Sequence, residues 1–401
     1  MARKLLLSSV LASPAIVHMS AYANTLTPFM PTLFQAMDVI SRELVGFIPS
    51  VNRNTNVERA AVGQSVAWPI APKMQTFNVT PAMAVPEPAD VVIGNNTMAI
   101  TKSKGVEFGW TGEEQLGLSH SVGHLTIQGD LFAQGLRTLV NEIEADLALE
   151  AALNGSRAWG TPGTTPFAPG VNGNLMDSAQ LRKILDDNGA PLTDRSMIID
   201  TAAGANLRTM YNLTRVNEAG TSMTLRDGEL LQLHGFSVKE SATVVRNVPG
   251  ATSGTTNATG YAVGARAITF TNAGTLKRGD IISFAGDANK YVISSVAGNV
   301  VTLANPGLRV AIPAAATAVT VAAAATINVA FPRNALALAS RAPALPEGGD
   351  LAIDRFTMQD PRSGLVFEVS LYPGYRKIRA EVAMSWGVKA VKDEHIALLL
   401  G

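Results

Sequence analysis

One segment constrains the fold of this chain more than any other. Between residues 126 and 154 the apolar side chains recur at three-to-four spacing on one helical face: Ile127, Leu131, Leu136, Leu139, Val140, Ile143 and Leu147. The charged residues of the segment, Glu142, Glu144 and Asp146 among them, fall mostly off that face. Thr126 can cap the start, and Asn154-Gly155 can end the segment in a left-handed conformation. The pattern predicts an amphipathic helix roughly 40 Å long that acts as a spine.

Composition excludes several classes of function. With 401 residues the chain should form more than one domain, because single cores stop growing near ~250 residues. Lys+Arg and Asp+Glu are both 32, so there is no global positive field, and any contact with nucleic acid is expected to be weak and local. The absence of cysteine excludes disulfides, thiolate catalysis and cysteine-ligated metals. No segment has the Leu, Ile and Phe content that predicts a membrane span.

The N-terminus permits two interpretations. Residues 1–25 contain Arg3-Lys4, an apolar run and Ala21-Tyr22-Ala23, the three regions of a secretory signal. Pro14 and several serines interrupt the apolar run, so we expect an N-terminal arm instead. The signal-like pattern keeps an exported β-rich surface or adhesin-like protein as the alternative function.

A helix and a long hairpin are predicted next. Residues 31–49 have helical apolar spacing between two prolines. Residues 51–110 read as two extended arms joined by a Pro-rich tip, with Trp68 and Trp110 as packing anchors. These arms hold too few bulky apolar residues for a core of their own, and a two-stranded ribbon is marginal in water. We therefore expect the hairpin to lie on the body or on a neighbouring copy.

The second half predicts an α/β unit interrupted by a β module. After a Gly/Pro/Thr loop at 159–175, Asp177 or Ser178 can cap a helix that Gly189 stops. A buried strand at 196–200 and a short helix at 202–211 follow. From 247 to 329 short β-rich runs alternate with turn signals, which is typical of a small barrel or sandwich.

Several segments carry a resemblance to a known family. The motif RDGELLQLHGFSVKES at 226–241 resembles part of the A domain in tailed-bacteriophage major capsid proteins of the coat family typified by phage P22. Similar matches occur at 331–339, 360–370, 386–391 and 396–401. LKRGDIISFAG at 276–286 resembles the inserted β-barrel domain of that branch. The earlier half is similar in the order of its elements.

The resemblance implies an α+β fold of the HK97 capsid type, with a spine helix, an extended β-hairpin or E-loop, an α/β A domain and an inserted all-β barrel. The implied divisions are an N-terminal arm at 1–50, an E-loop at 51–110, a P domain at 111–175 and 351–401, an A domain at 176–246 and 330–350, and the inserted barrel at 247–329. It implies a major capsid protein that self-assembles as hexamers and pentamers into an icosahedral shell, with scaffolding and portal proteins as partners. The shell would enclose double-stranded DNA in the virion after assembly in the host cytoplasm.

Candidate site residues follow from the hairpin. We predict inter-subunit contacts from the charged and aromatic residues of this core-poor arm: Arg59, Trp68, Glu87, Asp90, Lys102 and Lys104. No catalytic residue, cofactor or metal is predicted. His120 and His124 have metal-ligand spacing, but the serine and glycine between them indicate a loop. A hydrolase acting from the loop at 155–175 is a third hypothesis without a recognisable nucleophile and base, and Asp186-Asp187 is interpreted as a solvated turn.

Overall fold

The computed structural model describes residues 46–70, 94–119, 124–168, 175–210, 213, 232–252, 254–360 and 363–401. The N-terminal arm before residue 46, the helix predicted at 31–49 up to that point, and the hairpin tip lie outside these residues. The helices are α1 (Gly112–Ser119), α2 (His124–Leu153), α3 (Met176–Asp187) and α4 (Thr201–Thr209). None of the helices among the described residues is both long and apolar enough to cross a membrane.

The strands fall into two large sheets and one ribbon. In chain order they are β1 (Asn52–Ala60), β2 (Ser65–Ile70), β3 (Gly94–Ala99), β4 (Lys102–Thr111), β5 (Arg157–Gly160), β6 (Arg195–Ile199), β7 (Gln232–Leu233), β8 (Phe236–Glu240), β9 (Arg246–Asn247), β10 (Ala267–Thr269), β11 (Ile281–Phe284), β12 (Lys290–Ala297), β13 (Val300–Leu303), β14 (Val319–Val321), β15 (Ala325–Pro332), β16 (Leu336–Pro343), β17 (Asp354–Gln359), β18 (Val366–Gly374), β19 (Lys377–Ala390) and β20 (Ala397–Leu400).

The first sheet packs against the long helix α2. Its order is β1-β16-β19-β18-β17, and β4 lies along the other side of β19. Strand β1 runs parallel to β16, whereas β4 runs antiparallel to β19 over ten residue pairs. Val106, Phe108 and Trp110 alternate along β4 and pack into the core with α2. The predicted hairpin is therefore shorter than 51–110: its outer segments β1 and β4 have burial partners in the body, and only β2 and β3 form the ribbon.

Helix α2 confirms the predicted spine, with two changes to its buried face. Leu136, Leu139, Val140, Ile143 and Leu147 are buried as expected. Leu131 is 41% exposed, because the next residue, Phe132, takes the core position and meets Phe108 edge to face at 4.8 Å between ring centroids. Glu144 was expected off the apolar face, yet it is buried. The side chain of Ile127 lies outside the described part of the chain.

The predicted C-terminal position of α2 is confirmed, because the helix ends at Leu153, but the predicted cap at its start and the predicted left-handed stop are wrong. The helix begins at His124, so Thr126 lies inside it and is not the cap. At the other end, neither Asn154 nor Gly155 adopts a positive φ. A Cβ on Gly155 would lie 2.4 Å from Leu398 Cγ, so glycine is required there by the close approach of β20.

The second sheet forms the α/β unit. Its path runs β5-β20-β15-β6-β8-β7, and every residue of β6 is buried, which confirms the strand predicted at 196–200. Helices α3 and α4 cover this sheet through a separate apolar cluster. Gly189 has a φ of +72° just after α3, which agrees with its predicted role as a stop.

The predicted cap of α3 is wrong. The helix begins at Met176, and its N-cap residue makes no side-chain hydrogen bond. The Asp177 carboxylate instead accepts hydrogen bonds from Trp159 Nε1 at 3.1 Å and from the Phe167 amide at 2.9 Å. Asp177 therefore fixes the connection between β5 and α3: Trp159 belongs to β5, and Phe167 lies in the loop that follows it.

Strands β10 to β14 form a module with its own apolar core, centred on Ile268, Phe284, Tyr291 and Ile293. Backbone hydrogen bonds from the segment before β10 reach both outer parts of the module: the Thr256 amide donates to Thr317 O, two residues before β14, and the Asn257 amide donates to Thr269 O of β10. The module is also continuous with the α/β sheet, because β12 pairs with β5.

The chain crosses between these units more often than the sequence divisions imply. Strand β15 begins inside the range assigned to the module but lies in the middle of the α/β sheet, between β20 and β6. Strand β16 falls in the range assigned to the A domain but pairs with β1 and β19 in the first sheet. Strand β20, assigned to the P domain, also belongs to the α/β sheet.

Candidate functional site

The β2–β3 ribbon stands apart from both large sheets. Its strands pair from Ser65 with Ala99 to Ile70 with Gly94, and no other described strand joins them. Met98 and the adjoining Ile100 are buried in a small apolar cluster at its base. The base is therefore fixed to the body, while the far end leads into residues 71–93.

The base of the ribbon passes very close to β19. A Cβ on Gly387 would lie 2.2 Å from the carbonyl oxygen of Ala99, so only glycine allows this crossing without a shift. The Thr101 amide donates to Trp386 O at 3.0 Å, and Lys389 Nζ donates to Thr97 O at 2.7 Å. These contacts set the direction in which the ribbon leaves the body.

The structure places two of the predicted interface lysines beside α2. Lys102 Nζ lies 3.1 Å from Glu142 Oε1 and 2.8 Å from Asp146 Oδ1, and Lys104 also pairs with Glu142. Burial lowers the pKa of Lys102, but the hydrogen bonds to Asp146 and Glu142 outweigh it, so the net shift is upward. Asp146 also accepts a hydrogen bond from Trp386 Nε1 at 2.9 Å. Together these residues hold the N-terminal end of β4 against the spine helix.

Arg59 has partners within its own chain as well. Its guanidinium lies 2.5 Å from Glu368 Oε2 and donates to Pro343 O at 2.7 Å. Glu368 also pairs with Arg355 at 3.2 Å. These contacts fasten the edge strand β1 to the first sheet.

The remaining predicted interface residues are less fully described. The Trp68 backbone pairs with Asn96 in the ribbon, and its side chain lies outside the described part of the chain. Glu87 and Asp90 fall in the tip and also lie outside it. Trp110, predicted as a packing anchor, is buried against α2 with Phe108 at 6.2 Å between ring centroids.

The segment that enters β1 is held by a buried carboxylate. Glu144 accepts hydrogen bonds from the Phe47 amide at 2.6 Å and the Ile48 amide at 3.1 Å, and also from Ser241 Oγ. Burial raises the pKa of Glu144 above its usual value, although these hydrogen bonds act against the shift. A Cβ on Gly46 would lie 1.8 Å from Glu144 Oε1, so the chain passes directly over the carboxylate.

Two cations also donate hydrogen bonds to this segment. Lys239 Nζ donates to Ser50 Oγ at 2.7 Å, and Arg333 donates to Pro49 O at 3.1 Å. Neither cation forms an ion pair with any residue in the described part of the chain. Sequence reasoning missed this cluster, because β8, the turn after β15 and the start of β1 are distant along the chain.

An open cleft with exposed apolar residues lies at the far end of β4. It has a volume of about 730 Å³ and is lined by residues of three segments: Trp110, Thr111, Gly112, Glu113, Ile353 and 373–378. Tyr375 is 91% exposed, and Leu351, two residues before Ile353, is 84% exposed. The Trp110 Nε1 donor is buried and has no hydrogen-bond partner among the described residues. This end of the first sheet therefore presents apolar surface that the described chain does not cover.

A serine–histidine pair links α3 to the turn between β7 and β8. Ser178 Oγ lies 2.8 Å from His234 Nδ1, but this serine is fully buried and its hydroxyl also lies within hydrogen-bond distance of Leu175 O. The single hydroxyl hydrogen of Ser178 serves either Leu175 O or His234 Nδ1, depending on the His234 tautomer, and the burial of the serine keeps it from a substrate in solution. No group of three or more His, Asp or Glu residues able to hold a metal occurs in the described part of the chain. His120 and the side chain of His124 lie outside it.

Asp186 and Asp187 are exposed at the end of α3, in agreement with the predicted solvated position, and each also pairs with a buried arginine. Asp186 pairs with the buried Arg195 at 2.7 Å, and Asp187 pairs with the buried Arg157 at 3.2 Å. Arg309 of the β module also donates to Asp187 O at 3.0 Å. The two carboxylates therefore neutralise buried arginines and link α3 to its surroundings.

Comparison with known proteins gives distant structural similarity only. No protein-family model and no functionally curated protein matches the sequence. Solved structures similar to the chain include that of Mycobacterium phage Che8 (14% identity, TM-score 0.46, 88% of this chain and 90% of that chain). The capsid of Cyanophage P-SCSP1u (12%, 0.48, 88% and 86%) and the capsid of Ralstonia phage GP4 (10%, 0.42, 87% and 86%) are also similar. At these TM-scores the similarity does not define the fold of this chain.

Proposed function

We propose that this chain is the major capsid protein of a tailed bacteriophage and that it self-assembles into an icosahedral shell around double-stranded DNA. The motifs at 226–241, 331–339 and 360–370 support a P22-type coat protein with an HK97-type fold. In this proposal α2 and the first sheet form the P domain, the α/β sheet with α3 and α4 forms the A domain, and β10 to β14 form the inserted barrel.

The observation that carries the proposal is the β2–β3 ribbon. Its described contacts with its own body lie at the base, and it leads into residues 71–93, which include Pro81, Pro86 and Pro88. An isolated two-stranded ribbon is marginal in water, so a ribbon of this kind needs a burial partner. Another copy of the chain supplies that partner in a shell, and repeated interfaces provide stability that a cysteine-free chain cannot obtain from disulfides.

The exposed apolar cleft supports the same conclusion. Tyr375 lines the cleft with Trp110 and stands almost free of its own chain, and Leu351, two residues before the lining residue Ile353, is also exposed. The buried Trp110 indole donor has no partner among the described residues. Exposed apolar surface of this kind marks interaction sites. In the proposed shell the chain forms hexamers and pentamers, assembles in the host cytoplasm with scaffolding and portal proteins, and contacts packaged DNA weakly.

The test is electron microscopy and sedimentation of the full chain expressed alone, beside a variant in which residues 80–92 are replaced by a short Gly/Ser linker. We expect closed shells or curved sheets from the unaltered chain and a folded, unassembled subunit from the variant. Normal shells from the variant would refute the role of the ribbon. A monodisperse monomer whose N-terminus begins after Ala23 would support the exported surface protein instead.

A further inference from the structure

The cation cluster at the start of β1 brings together charges from three parts of the chain. Lys239 comes from β8, Arg333 follows β15, and both donate to the consecutive residues Pro49 and Ser50. Arg53 lies three residues further on, at the start of β1, and donates to Ser363 O. Arg333 is exposed and Lys239 is half-buried, so the cluster is open to solvent on one side.

The carboxylates near the cluster are already committed to other groups. Glu144 is buried and accepts from two backbone amides and from Ser241. Asp360 is buried and accepts from the amide and the hydroxyl of Ser363. Among the described residues Lys239 and Arg333 form no ion pair, and the Glu144 carboxylate that acts on Lys239 is engaged in hydrogen bonds. This leaves local positive charge at these two side chains, in a chain whose formal net charge is zero.

The protonation behaviour of the cluster agrees with this excess. Burial, followed by the nearby charge of Arg333, lowers the pKa of both Lys239 and Arg53. The cations are thus partly desolvated and repel one another. A bound anion would relieve both effects by supplying negative charge and hydrogen-bond acceptors.

We propose that Lys239 and Arg333, with Arg53 beside them, bind phosphodiester groups of double-stranded nucleic acid. The Lys239 ammonium and the Arg333 guanidinium each use a donor on the 49–50 segment and retain others for an oxyanion. Arginine and lysine are the side chains best suited to phosphate oxygens. Several neighbouring cations match the repeated charge of a nucleic-acid backbone better than they match a single carboxylate.

The inference rests on the proposed function, in which the shell encloses DNA, and it gives that weak contact a specific location. Binding would be independent of sequence, because phosphate contacts position a protein on a duplex without reading its bases. It would also be confined to this cluster, since the chain has no global positive field.

The experiment measures binding of the full chain to a random-sequence DNA duplex as salt rises from about 50 to about 200 mM. The slope of log K against log salt reports how many phosphates are neutralised. For the double variant Lys239→Gln with Arg333→Gln, we expect the magnitude of this negative slope to fall by about 0.9 for each cation removed. The charge-preserving pair Lys239→Arg with Arg333→Lys should keep the slope of the unaltered chain.

The matched control removes two charges elsewhere. Lys183 and Lys277 are exposed, and neither forms an ion pair with a described residue, so Lys183→Gln with Lys277→Gln should leave the slope unchanged. Melting temperatures of all variants establish that they fold. Equal slopes for the two neutralised pairs, or no duplex binding by the unaltered chain at about 50 mM salt, would overturn the inference.

Two further arms identify the source of the anion. Inorganic phosphate that raises the melting temperature of the unaltered chain, without any duplex binding, would assign the site to free phosphate and refute the nucleic-acid assignment. Polyglutamate that binds as tightly as the duplex would assign it to an acidic polypeptide. Shell formation by the unaltered chain is scored separately. If the unaltered chain forms shells but Lys239→Gln with Arg333→Gln does not change the salt slope, only this inference is refuted. If the double variant changes the slope but the unaltered chain forms no shells, only the capsid proposal is refuted.

Discussion

At the scale of single residues, several close contacts depend on the absence of a side chain. Gly46 passes over the Glu144 carboxylate, Gly155 lies against Leu398, and Gly387 lies beneath the Ala99 carbonyl. None of the three glycines has a positive φ, so a left-handed backbone is not the reason for them. Sequence reasoning interpreted Gly155 as a helix stop because turn chemistry is visible in sequence, whereas a neighbour from residue 398 is not.

The crossing at Gly387 gives a first prediction. In the variant Gly387→Ala, the new Cβ would meet the Ala99 carbonyl oxygen at 2.2 Å, and this backbone atom cannot move without displacing the base of the ribbon. We expect a loss of about 1–3 kcal/mol in the free energy of unfolding, as for other overpacked sites. Thermal melting monitored by fluorescence provides the measurement.

A second glycine supplies the control. Gly112 begins α1 and has open space where a Cβ would be, so Gly112→Ala should be neutral or stabilising by up to about 1 kcal/mol. If both variants melted at the same temperature, the tight crossing at the base of the ribbon would be contradicted.

Glu144 shows how a buried charge could be found from sequence and how it was missed. Residues 140, 143 and 147 lie on the apolar stripe of α2, and 144 falls beside them at four residues from 140. A carboxylate at such a position must find donors, and here the donors are the amides of Phe47 and Ile48. The position was visible in the periodicity, but the donors were not, because they lie nearly a hundred residues earlier.

At the scale of elements, a group of ion pairs joins β4 to α2 beside their apolar contact, and we call this group the polar seam. Glu142 and Asp146 lie one turn apart on α2 and face Lys102 of β4. Only Asp146 also accepts from the indole of Trp386, a residue that is fully buried on β19. Loss of the Asp146 carboxylate would therefore leave a buried indole N–H without an acceptor, whereas loss of the Glu142 carboxylate would leave only lysines without their partner.

This difference gives a second prediction, for the paired variants Asp146→Ala and Glu142→Ala. Asp146→Ala leaves the buried indole N–H without its acceptor, which should cost about 1–3 kcal/mol. Glu142→Ala removes partly exposed ion pairs with two lysines, which should cost less than about 1 kcal/mol. Melting temperatures of the two variants test the order, and a larger loss for Glu142→Ala would show that the lysine pairs dominate the seam.

Elements with a local signal were predicted correctly, and those that depend on distant pairing were not. The long helix, the strand at 195–199 and the helix at 201–209 follow from periodicity within one window. Strands β1 and β4 read as arms of a hairpin because their partners, β16 and β19, lie more than two hundred residues away. Four of the six predicted interface residues were placed on elements of known position, and three of these have charged partners in their own chain.

At the scale of the whole molecule, the chain weaves its two large sheets together. It passes from β15 in the α/β sheet to β16 in the first sheet, and from β19 in the first sheet to β20 in the α/β sheet. One apolar cluster contains residues of both sheets and of α2, so the sheets form a continuous body. The ribbon, the cleft near Tyr375 and the cation cluster are the features of this body that lack a complete partner in the described chain.

The exposed apolar surface at the cleft gives the last prediction, for the double variant of Tyr375, which lines the cleft, and Leu351, which lies two residues before the lining residue Ile353: Leu351→Ser with Tyr375→Ser. Both side chains are more than four-fifths exposed, so the melting temperature of the unassembled subunit should not change. Burying one large apolar side chain is worth about 1.5–3 kcal/mol, and each ~1.4 kcal/mol is a factor of ten in an association constant. If this surface is covered by a neighbouring copy, the protein concentration needed to form shells should rise by at least about tenfold.

Sedimentation at a series of concentrations, with electron microscopy of the pelleted material, measures that threshold. The matched control is Val263→Ser with Val310→Ser, which removes two exposed apolar side chains from the region of the β module. The control should assemble at the concentration of the unaltered chain, because its residues lie outside the cleft. If the protein concentration needed to form shells is unchanged in both double variants, assembly does not use the cleft. If that concentration rises equally in both, general surface hydrophobicity drives assembly and this particular surface does not.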